Sequence, residues 1–322
     1  MKPHSIAIVV YPDVQMSAVL GLRDLFHIAN GHSNQYEGSQ LKVSEVSKSM
    51  IMDATAGNFE AVILPPSIAA ARGKEEEAIH DWLRSQHATG AMMSSVCVGA
   101  YWLAYSGLLQ GRPATTHWAV AEEFQATFPE IQLNAGQILV DDDDVVTAGG
   151  LMAWLDLGLY MVNRWLGPKV ASDTARHLLV DPNGREQRSY RTFRPKLNHS
   201  DKNILKLQHW LEGCVNTEIN VNKMATVASL SGRTFLRRFA TATGFTPIVY
   251  LQQLRIEKAR GLLEHSRLSI SEISYKVGYQ DTSAFSRVFR NITGLTAGEY
   301  RKRFGARSRN MIGSVAAVQE SS

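Results

Sequence analysis

One cysteine of the chain has the surroundings of a catalytic nucleophile. Cys97 follows an apolar run at 91–96, and Gly99 and a helix-length segment come directly after it. A cysteine on such a sharp strand-to-helix turn projects above the sheet, and the helix N-terminus behind it is expected to lower its thiol pKa. His117 lies twenty residues further on, in a Thr-Thr-His-Trp sequence. A nucleophile and its base are therefore one possible chemistry for this pair.

The same residues are also suited to a ligand pocket. The runs at 61–64, 91–96 and 145–148 are short and continuously apolar, as strands buried in a parallel sheet are. Such sheets bind ligands at the carboxyl ends of their strands. We therefore expect a small-molecule pocket lined by Pro65, Pro66, Cys97, Val98, His117, Gly149 and Gly150. A third possibility is that Cys97 is a small buried residue and His117 a structural hydrogen-bonding group.

The run Asp141 to Asp144 raises the possibility of a metal site. Four consecutive carboxylates cannot all face one ion, however, and the glycine and glutamate of a calcium loop are missing. We predict a solvated turn between two strands instead. Cys97 and Cys214 are too few and too differently placed for a disulfide framework or a zinc site. Neither a metal nor a cofactor is expected.

The second candidate site is a segment that occurs twice. Residues 269–290 read as helix, turn and helix, with apolar side chains at helical spacing on both sides of Gly278 and Asp281 as an N-cap. Residues 221–244 repeat this pattern around a break at Ser229. Six residues correspond one for one: Phe235, Arg237, Phe239, Thr243, Gly244 and Tyr250 match Phe285, Arg287, Phe289, Thr293, Gly294 and Tyr300. Two tandem units in a basic region predict DNA binding.

In each copy the second helix is expected to read DNA, with its phenylalanines pointing inward. The candidates for base contacts are Arg233, Leu236 and Arg237 in the first copy, and Thr282, Ser283, Ser286 and Arg287 in the second. Four further cations are expected to meet phosphate or water: Arg238, Arg255, Lys276 and Arg290. An apolar-striped helix beginning at Pro247 connects the copies. Some eighteen residues would span about 27 Å, which suits the roughly 34 Å between successive major-groove faces.

Two domains must position these residues. Residues 1–180 alternate strands and helices, which predicts an α/β domain, a flavodoxin-like sandwich with helices on both faces of a parallel sheet. Residues 181–200 hold two prolines, an Asn-Gly pair and no regular period, so we predict a solvated linker. Residues 201–307 are predicted to form an all-α domain with two helix-turn-helix motifs, and residues 308–322 a disordered tail.

Charge and composition narrow the function classes. No apolar run reaches the eighteen or so residues of a membrane span, and the start lacks a signal-peptide pattern, so we expect a cytoplasmic protein. The net charge of +4 is unevenly distributed. Residues 202–310 carry 18 Lys and Arg against 7 Asp and Glu, a net charge of +11, whereas the remainder carries −7. A basic domain of this kind has the electrostatics of phosphate-backbone binding.

Residues 5–180 resemble the ThiJ/PfpI group of the class I glutamine amidotransferase-like superfamily, through the cysteine turn, the Thr-Thr-His loop and the TAGG sequence before a helical LMAWLDLGLYMV segment. Enzymes of that superfamily usually hold a glutamate near the cysteine, in the loop after the first strand. Here that loop reads YPDVQMS, and the alignment puts Met16 at the glutamate position. The group's proteases carry histidine after the cysteine, where this chain has Val98. The resemblance thus implies an amidase-like domain that is catalytically inactive.

Residues 205–304 resemble the DNA-binding domain of the AraC/XylS family of transcription regulators. The family's pattern appears as Ser231, the Phe-x-Arg-x-Phe run at 235–239, and the Gly-x-x-Pro-x-x-Tyr run at 244–250. Residues 255–263 fit the family's linker helix. Ala297 stands where the second unit usually has proline, and we expect this to loosen the start of the last helix without abolishing folding.

A chain that carries both resemblances is similar to the GlxA-like regulators. They imply a sequence-specific transcription regulator, an activator, that binds double-stranded promoter DNA and a small-molecule effector. They also imply contact with RNA polymerase and a homodimer, with no membrane partner. Family members often activate catabolic operons for nitrogen-containing compounds. Two alternatives remain open: a Cys97-dependent hydrolase or amidotransferase that is localised to DNA, and a DNA-binding protein without effector whose first domain only dimerises.

Overall fold

The computed structural model describes residues 3–68, 73–181 and 186–305. The chain divides into two compact units, Met1–Gln187 and Arg188–Ser322, so the division falls inside the predicted linker 181–200. The predicted tail, residues 308–322, lies outside the described residues. In the linker, Gln187 and Ser189 are buried, which departs from the prediction of a solvated segment.

The first unit is built on one mixed, mainly parallel sheet. Its strands are β1 (His4–Val10), β2 (Leu41–Ser47), β3 (Ala61–Leu64), β4 (Met92–Val96), β7 (Leu139–Asp142) and β8 (Val145–Ala148), in the order β2-β1-β3-β4-β8-β7. Only β7 among them is antiparallel to its neighbour. The short strands β5 (Pro113–Ala114) and β6 (Gln132–Leu133) pair separately. The three strands predicted from the apolar runs at 61–64, 91–96 and 145–148 are confirmed as β3, β4 and β8, which are buried inside the sheet, as is most of β1.

Helices cover both faces of this sheet. They are α1 (Met16–Asn34), α2 (Lys48–Met52), α3 (Glu77–Ala88), α4 (Ala100–Tyr105), α5 (Ala121–Thr127), α6 (Trp154–Leu166) and α7 (Pro168–His177). The crossovers through α1 and α3 run in opposite directions along the sheet. Since crossovers of one hand that run in opposite directions put their helices on opposite faces, α1 and α3 lie on different faces. The predicted α/β sandwich is confirmed.

In the described residues of the second unit, all regular secondary structure is helical. Its helices are α8 (Lys202–Cys214), α9 (Val221–Val227), α10 (Gly232–Thr243), α11 (Pro247–His265), α12 (Ile270–Lys276), α13 (Thr282–Thr293) and α14 (Ala297–Phe304). They form two hydrophobic cores that share α11. The helix α14 begins at Ala297 itself, where the Thr296 and Glu299 side chains close a capping box. The missing proline therefore does not displace the start of this helix.

Candidate functional site

The carboxyl ends of three adjacent strands bring most of the predicted pocket residues together. β3, β4 and β8 are neighbours in the sheet, and they end at Pro65-Pro66, Cys97-Val98 and Gly149-Gly150, respectively. Pro65, Pro66, Cys97, Val98 and Gly149 are buried, and Gly150 is partly buried. The predicted residues of the sheet thus share one edge, as parallel strands require.

The backbone at Cys97 has the geometry of a nucleophile turn. Its φ is 58°, in the left-handed region that costs a non-glycine residue energy. A Cβ on Gly99 would collide with the Leu64 carbonyl and lie 2.9 Å from the Pro65 carbonyl, so the turn needs glycine there. The Thr116 hydroxyl donates a hydrogen bond of 2.7 Å to the Cys97 carbonyl. This bond ties the turn to the Thr-Thr-His loop.

The thiol of Cys97 lies in an environment that disfavours its charged form. The residue is 4% exposed, and burial raises the pKa of its thiol to about 11. The expectation that the helix N-terminus lowers this pKa was wrong, because desolvation outweighs the hydrogen bond from the Val98 backbone. Two aromatic rings lie close by: Tyr11 and Trp102 have centroids 4.8 Å apart, and the Tyr11 hydroxyl donates to the Pro65 carbonyl.

His117 is held as a structural group. Its Nδ1 accepts a 3.0 Å hydrogen bond from the Ala119 backbone and caps a single 3₁₀ turn at Trp118–Val120. This leaves the proton of the neutral ring on Nε2. Burial lowers the pKa of the imidazole. Within the described residues, no hydrogen bond joins His117 to Cys97.

In the loop after β1, the residue that faces inward is Gln15 and not Met16, the residue expected at the glutamate position. Met16 begins α1 and is 45% exposed, whereas Gln15 is 5% exposed. The Gln15 backbone donates to the Pro66 carbonyl over 2.7 Å, and its Nε2 donates to the Ser17 hydroxyl over 2.8 Å. Its Oε1 is buried without a partner among the described residues. The inward residue of this loop is therefore an uncharged amide at position 15.

Gln187 belongs to the site, although no pattern in the sequence pointed to it. Its Nε2 donates to the carbonyls of Thr116 and Gln137, both over 2.9 Å, and its Oε1 accepts from the Trp118 backbone. A Cβ on Gly149 would overlap this amide, which explains the glycine. Gln187 thus fixes the Thr-Thr-His loop from a position inside the predicted linker.

A cavity of about 360 Å³ lies elsewhere in this unit, beside β7, α6 and α7. None of the seven predicted pocket residues lines it. Its lining comprises Ile138, Leu139, Asp156, Leu159, Tyr160, Asn163, Pro168, Ala171, Ser172 and Asp181.

Asp143 and Asp144 form the predicted turn between β7 and β8, whereas Asp141 and Asp142 belong to β7 itself, and the carboxylates of the run diverge. Asp142 and Asp144 pair with Arg112, and Asp143 pairs with Arg164 over 3.2 Å. The hydrogen bond from Arg112 lowers the pKa of Asp144 to about 2. Within the described residues, no group of three His, Cys, Asp or Glu side chains is arranged to hold a metal ion.

The two helix-turn-helix units have the same internal construction. We call α8, α9, α10 and the first half of α11 the first head, and the second half of α11 with α12, α13 and α14 the second head. In both heads, the threonine that ends the recognition helix donates to a phenylalanine carbonyl one turn earlier, over 2.7 Å and 2.8 Å. A left-handed glycine follows each, with φ of 77° and 76°. The duplication seen in the sequence is therefore a duplication of structure.

The recognition helices α10 and α13 bury their phenylalanines and expose the residues between them. Phe235, Phe239, Phe285 and Phe289 are fully buried. The side chains predicted to contact bases are exposed, except that Thr282 is partly buried: Arg233, Leu236, Arg237, Ser283, Ser286 and Arg287. In α13 the Ser286 hydroxyl already donates to the Thr282 carbonyl over 2.8 Å.

Two of the four cations expected to meet phosphate have partners inside the protein. Arg238 pairs with Asp201 through two hydrogen bonds of 2.8 Å and 2.6 Å. Arg255 donates to backbone carbonyls of the first head. Lys276 and Arg290 are exposed.

Within the described residues, no helix is both long and apolar enough to cross a membrane.

The DJ-1/PfpI family matches residues 25–164, and a helix-turn-helix domain family matches residues 224–303. The HTH-type transcriptional regulator GlxA of Rhizobium meliloti is 30% identical over 235 residues, 72% of each chain. The HTH-type transcriptional regulator GbdR of Pseudomonas aeruginosa is 24% identical over 92% of this chain and 80% of its own.

A third relative matches a shorter part of the chain. The HTH-type transcriptional activator RhaS of Escherichia coli is 39% identical over 99 residues, which are 31% of this chain and 36% of RhaS. The GlxA similarity, by contrast, extends over most of both proteins. With an α/β unit of the DJ-1/PfpI type followed by paired helix-turn-helix heads, this chain belongs to the family of GlxA-like HTH-type transcriptional regulators.

Proposed function

We propose that this protein is a sequence-specific transcription activator that binds promoter DNA with both heads and responds to a small metabolite. The observation that carries the proposal is the pair of recognition helices, which present exposed polar and basic side chains from two similar heads on one spacer helix. The relatives named as regulators and the net charge of +11 on residues 202–310 support it. The name of RhaS, an activator, supports the sign of regulation. Such a protein acts in the cytoplasm, together with RNA polymerase.

Each head is proposed to enter the major groove with the N-terminal part of its recognition helix. Arg237 is the candidate for a bidentate contact to guanine, and Leu236 for a contact to a thymine methyl group. Both side chains are exposed on α10. The second helix offers mainly hydroxyl groups around Arg287, so its contribution to base discrimination is smaller.

The first unit is proposed to bind its metabolite at the carboxyl edge of the sheet, near Cys97 and His117, without hydrolysing it. A thiol with a pKa of about 11 is protonated at neutral pH, and the thiolate is the nucleophile. His117 is engaged as a cap, and the inward side chain of the β1 loop is the amide of Gln15. These features support binding over catalysis.

Coupling between metabolite and DNA binding is proposed to run through the segment that follows Glu186. Gln187 is fixed to the Thr-Thr-His loop of the first unit. In the second unit, Arg260 of α11 donates to the carbonyls of Arg188 and Arg191. A ligand changes DNA binding only if it favours one arrangement of the chain, and this short segment has a defined anchor at each end.

Dimerisation is assigned to the first unit. Met16 and Leu20, one turn apart on α1, are 45% and 39% exposed, and Leu151 and Met152 are 40% and 46% exposed. The Gln15 amide contacts the Met152 sulfur at 3.9 Å, so the two groups of exposed apolar side chains are close to each other. Exposed apolar surface of this kind favours association with a second copy.

A reporter strain tests the proposed function. Arg237→Ala should abolish regulation of the target promoter, whereas Cys97→Ser should leave it intact. Arg267→Ala is the matched control, because Arg267 is exposed in the same unit but lies outside both recognition helices. Loss of regulation in Cys97→Ser with no effect of Arg237→Ala would overturn the proposal.

The positive φ of Cys97 favours a second candidate, a cysteine-dependent hydrolase or amidotransferase localised to DNA. Amide hydrolysis by the purified protein that disappears in Cys97→Ser would establish it. The same assay with no turnover in either protein would exclude it.

A further inference from the structure

The two heads have separate hydrophobic cores, and the spacer helix α11 changes core in its middle. Leu251 is the last α11 residue buried in the first core, and Ile256 is the first one buried in the second. Arg255 lies at this boundary, one residue before Ile256. Its side chain is therefore placed to contact both heads.

Arg255 is bonded to the loop between α8 and α9, in the first head. Its Nε donates to the Val215 carbonyl over 3.0 Å, and its Nη2 donates to the Thr217 carbonyl over 2.9 Å. Burial lowers the pKa of this guanidinium, so its desolvation must be offset by good partners. The planar fork of arginine makes the two bonds from two separate nitrogens held in a fixed geometry, whereas lysine would have to make both from one nitrogen.

The same guanidinium contacts the turn between α12 and α13, in the second head. Its Cζ lies 5.3 Å from the centre of the Tyr279 ring, a cation–π distance. A Cβ on Gly278 would lie 2.5 Å from the Val215 carbonyl and 2.8 Å from Arg255 Nη2. The turn of the second head therefore comes up against both the loop of the first head and Arg255.

The first head provides an internal comparison for Gly278. The turn after α9 makes the same two backbone bonds, from Ser229 and Leu230, as the turn after α12 makes from Gly278 and Tyr279. Ser229 has a φ of 54°, and Gly278 a φ of 90°. A serine thus fits this backbone class in the first head. The close approach of Val215 and Arg255, more than the sign of φ, requires glycine in the second.

Packed side chains do not fill the space beside this contact. A cavity of about 300 Å³ lies between the α8–α9 loop and the α12–α13 turn, lined by Asn216, Glu218, Ile219, Arg255, Tyr275, Gly278, Tyr279 and Gln280. The heads are thus joined here by the Arg255 contacts and by the helix α11 itself.

We propose that Arg255, with Gly278 and Tyr279, forms a clamp that fixes the angle between the two heads and so sets the spacing of the two half-sites they read on DNA. Arg255 is a positioning residue, since its hydrogen bonds are made inside the protein. The second part of the proposal rests on the proposed DNA-binding function. The first part, the fixed angle, does not.

A distance measurement without DNA tests the fixed angle. Nitroxide labels are attached at Ala240→Cys and Arg290→Cys, which are exposed equivalent positions of the two recognition helices, in a chain with Cys97→Ala and Cys214→Ala. Double electron–electron resonance should give one narrow distance distribution. Arg255→Lys and Tyr279→Leu should broaden it, whereas Lys258→Ala, an exposed position of α11, and Ser229→Ala should not. Equal widths in all variants, with helix content unchanged by circular dichroism, would overturn the clamp.

A binding measurement with the unlabelled full chain tests the spacing. Duplexes are first selected from random sequence by the wild-type protein, and then altered by inserting or deleting base pairs between the half-sites. Wild-type affinity should fall by roughly tenfold or more, as when one head loses its base contacts. Arg255→Lys should flatten this dependence while keeping its affinity for a single half-site. An unchanged spacing preference in Arg255→Lys refutes the second part. If no duplex is selected at all, the DNA-binding function fails, and the resonance measurement alone decides the clamp.

Discussion

At the scale of single residues, Cys97 combines the backbone of a nucleophile with the surroundings of a buried thiol. Its φ of 58° is typical of a strand-to-helix nucleophile turn. Burial nevertheless raises the pKa of the thiol to about 11, so the fraction of thiolate at neutral pH is very small. Geometry alone would identify this position as catalytic, and the electrostatics argue against it.

The pH dependence of alkylation tests this account of Cys97. In the Cys214→Ser variant, the rate of reaction with iodoacetamide should be slow at neutral pH and keep rising with pH toward about 11, because the rate follows the thiolate fraction. The same chain in denaturant serves as control: its rate should be half-maximal near about pH 8.5, the pKa of an unperturbed cysteine, and should level off about one to two pH units above that value. A folded chain that levels off there too contradicts the burial effect.

A substitution at Gly149 tests the role of Gln187. Gly149→Ala should lower the free energy of unfolding of the first unit by roughly 1–3 kcal/mol, because the new methyl group displaces the Gln187 amide and leaves buried polar groups unpaired. Gly31→Ala, in α1 with nothing within 4 Å of the added Cβ, is the control and should not destabilise. Tryptophan fluorescence reports on this unit, which holds five of the six tryptophans, all except Trp210. If Gly149→Ala and the wild type have equal free energies of unfolding, the Gln187 amide can move aside without destabilising the unit, and the account of Gly149 is wrong.

The sequence predicted that Cys97 lies at the end of a strand, but not that its thiol is buried and protonated. Strand and helix patterns are local, so the strand end at 96 and the helix after Gly99 could be predicted from neighbouring residues. The burial of the thiol depends on residues far away along the chain, as do the bonds of Gln187 to Thr116 and of Arg255 to Val215. Spacing patterns do not encode contacts of this kind. The inward turn of Gln15 in place of Met16 is a one-residue difference that only the backbone geometry resolves.

At the scale of elements, the duplicated heads were predictable because their signals are repeated and local. The Phe-x-Arg-x-Phe spacing, the left-handed glycine and the closing tyrosine recur in both copies, within residues 235–250 and 285–300. The strand β2 was missed, and β7 was predicted only as the unbounded partner of the turn before β8, for the opposite reason. Both carry charged and polar residues, since they lie at the edges of the sheet where one side faces solvent.

The two recognition helices are expected to differ in role. Arg237→Ala should lose roughly 1–3 kcal/mol of discrimination at one base pair, because Arg237 stands beside the exposed Leu236 and has room for a bidentate contact. Arg287→Ala should weaken binding to all sequences about equally. Competition binding on a selected duplex and its single-base variants measures both effects, with Arg267→Ala as control. Equal loss of specificity in the two variants contradicts the ranking.

At the scale of the whole molecule, charge is divided between the two parts of the chain. Residues 202–310 carry +11, and the remainder carries −7. The positive part coincides with the unit that holds the recognition helices, so the electrostatic attraction to DNA and the base-reading surface belong to the same unit. The acidic remainder of the chain contains the unit to which the proposed function assigns metabolite binding and dimerisation.

Salt dependence tests this division. The logarithm of the association constant for a selected duplex should fall linearly and steeply as the logarithm of salt concentration rises, because Lys and Arg displace counterions from phosphates. Arg290→Ala should make the slope shallower by about one, since Arg290 is exposed at the end of α13 and is expected to meet phosphate. Arg238→Ala should change the slope less, because Arg238 is paired with Asp201. A flat dependence for the wild type contradicts the electrostatic account.

The central claim, sequence-specific recognition of DNA by the two heads, is tested most directly by selection from a random duplex library with the purified full-length chain, followed by sequencing. The account predicts that the wild type converges on one motif with two half-sites about one helical turn apart. Arg237→Ala is predicted to lose the preference at one base pair of one of these half-sites. A wild-type selection that enriches no common motif would contradict the claim.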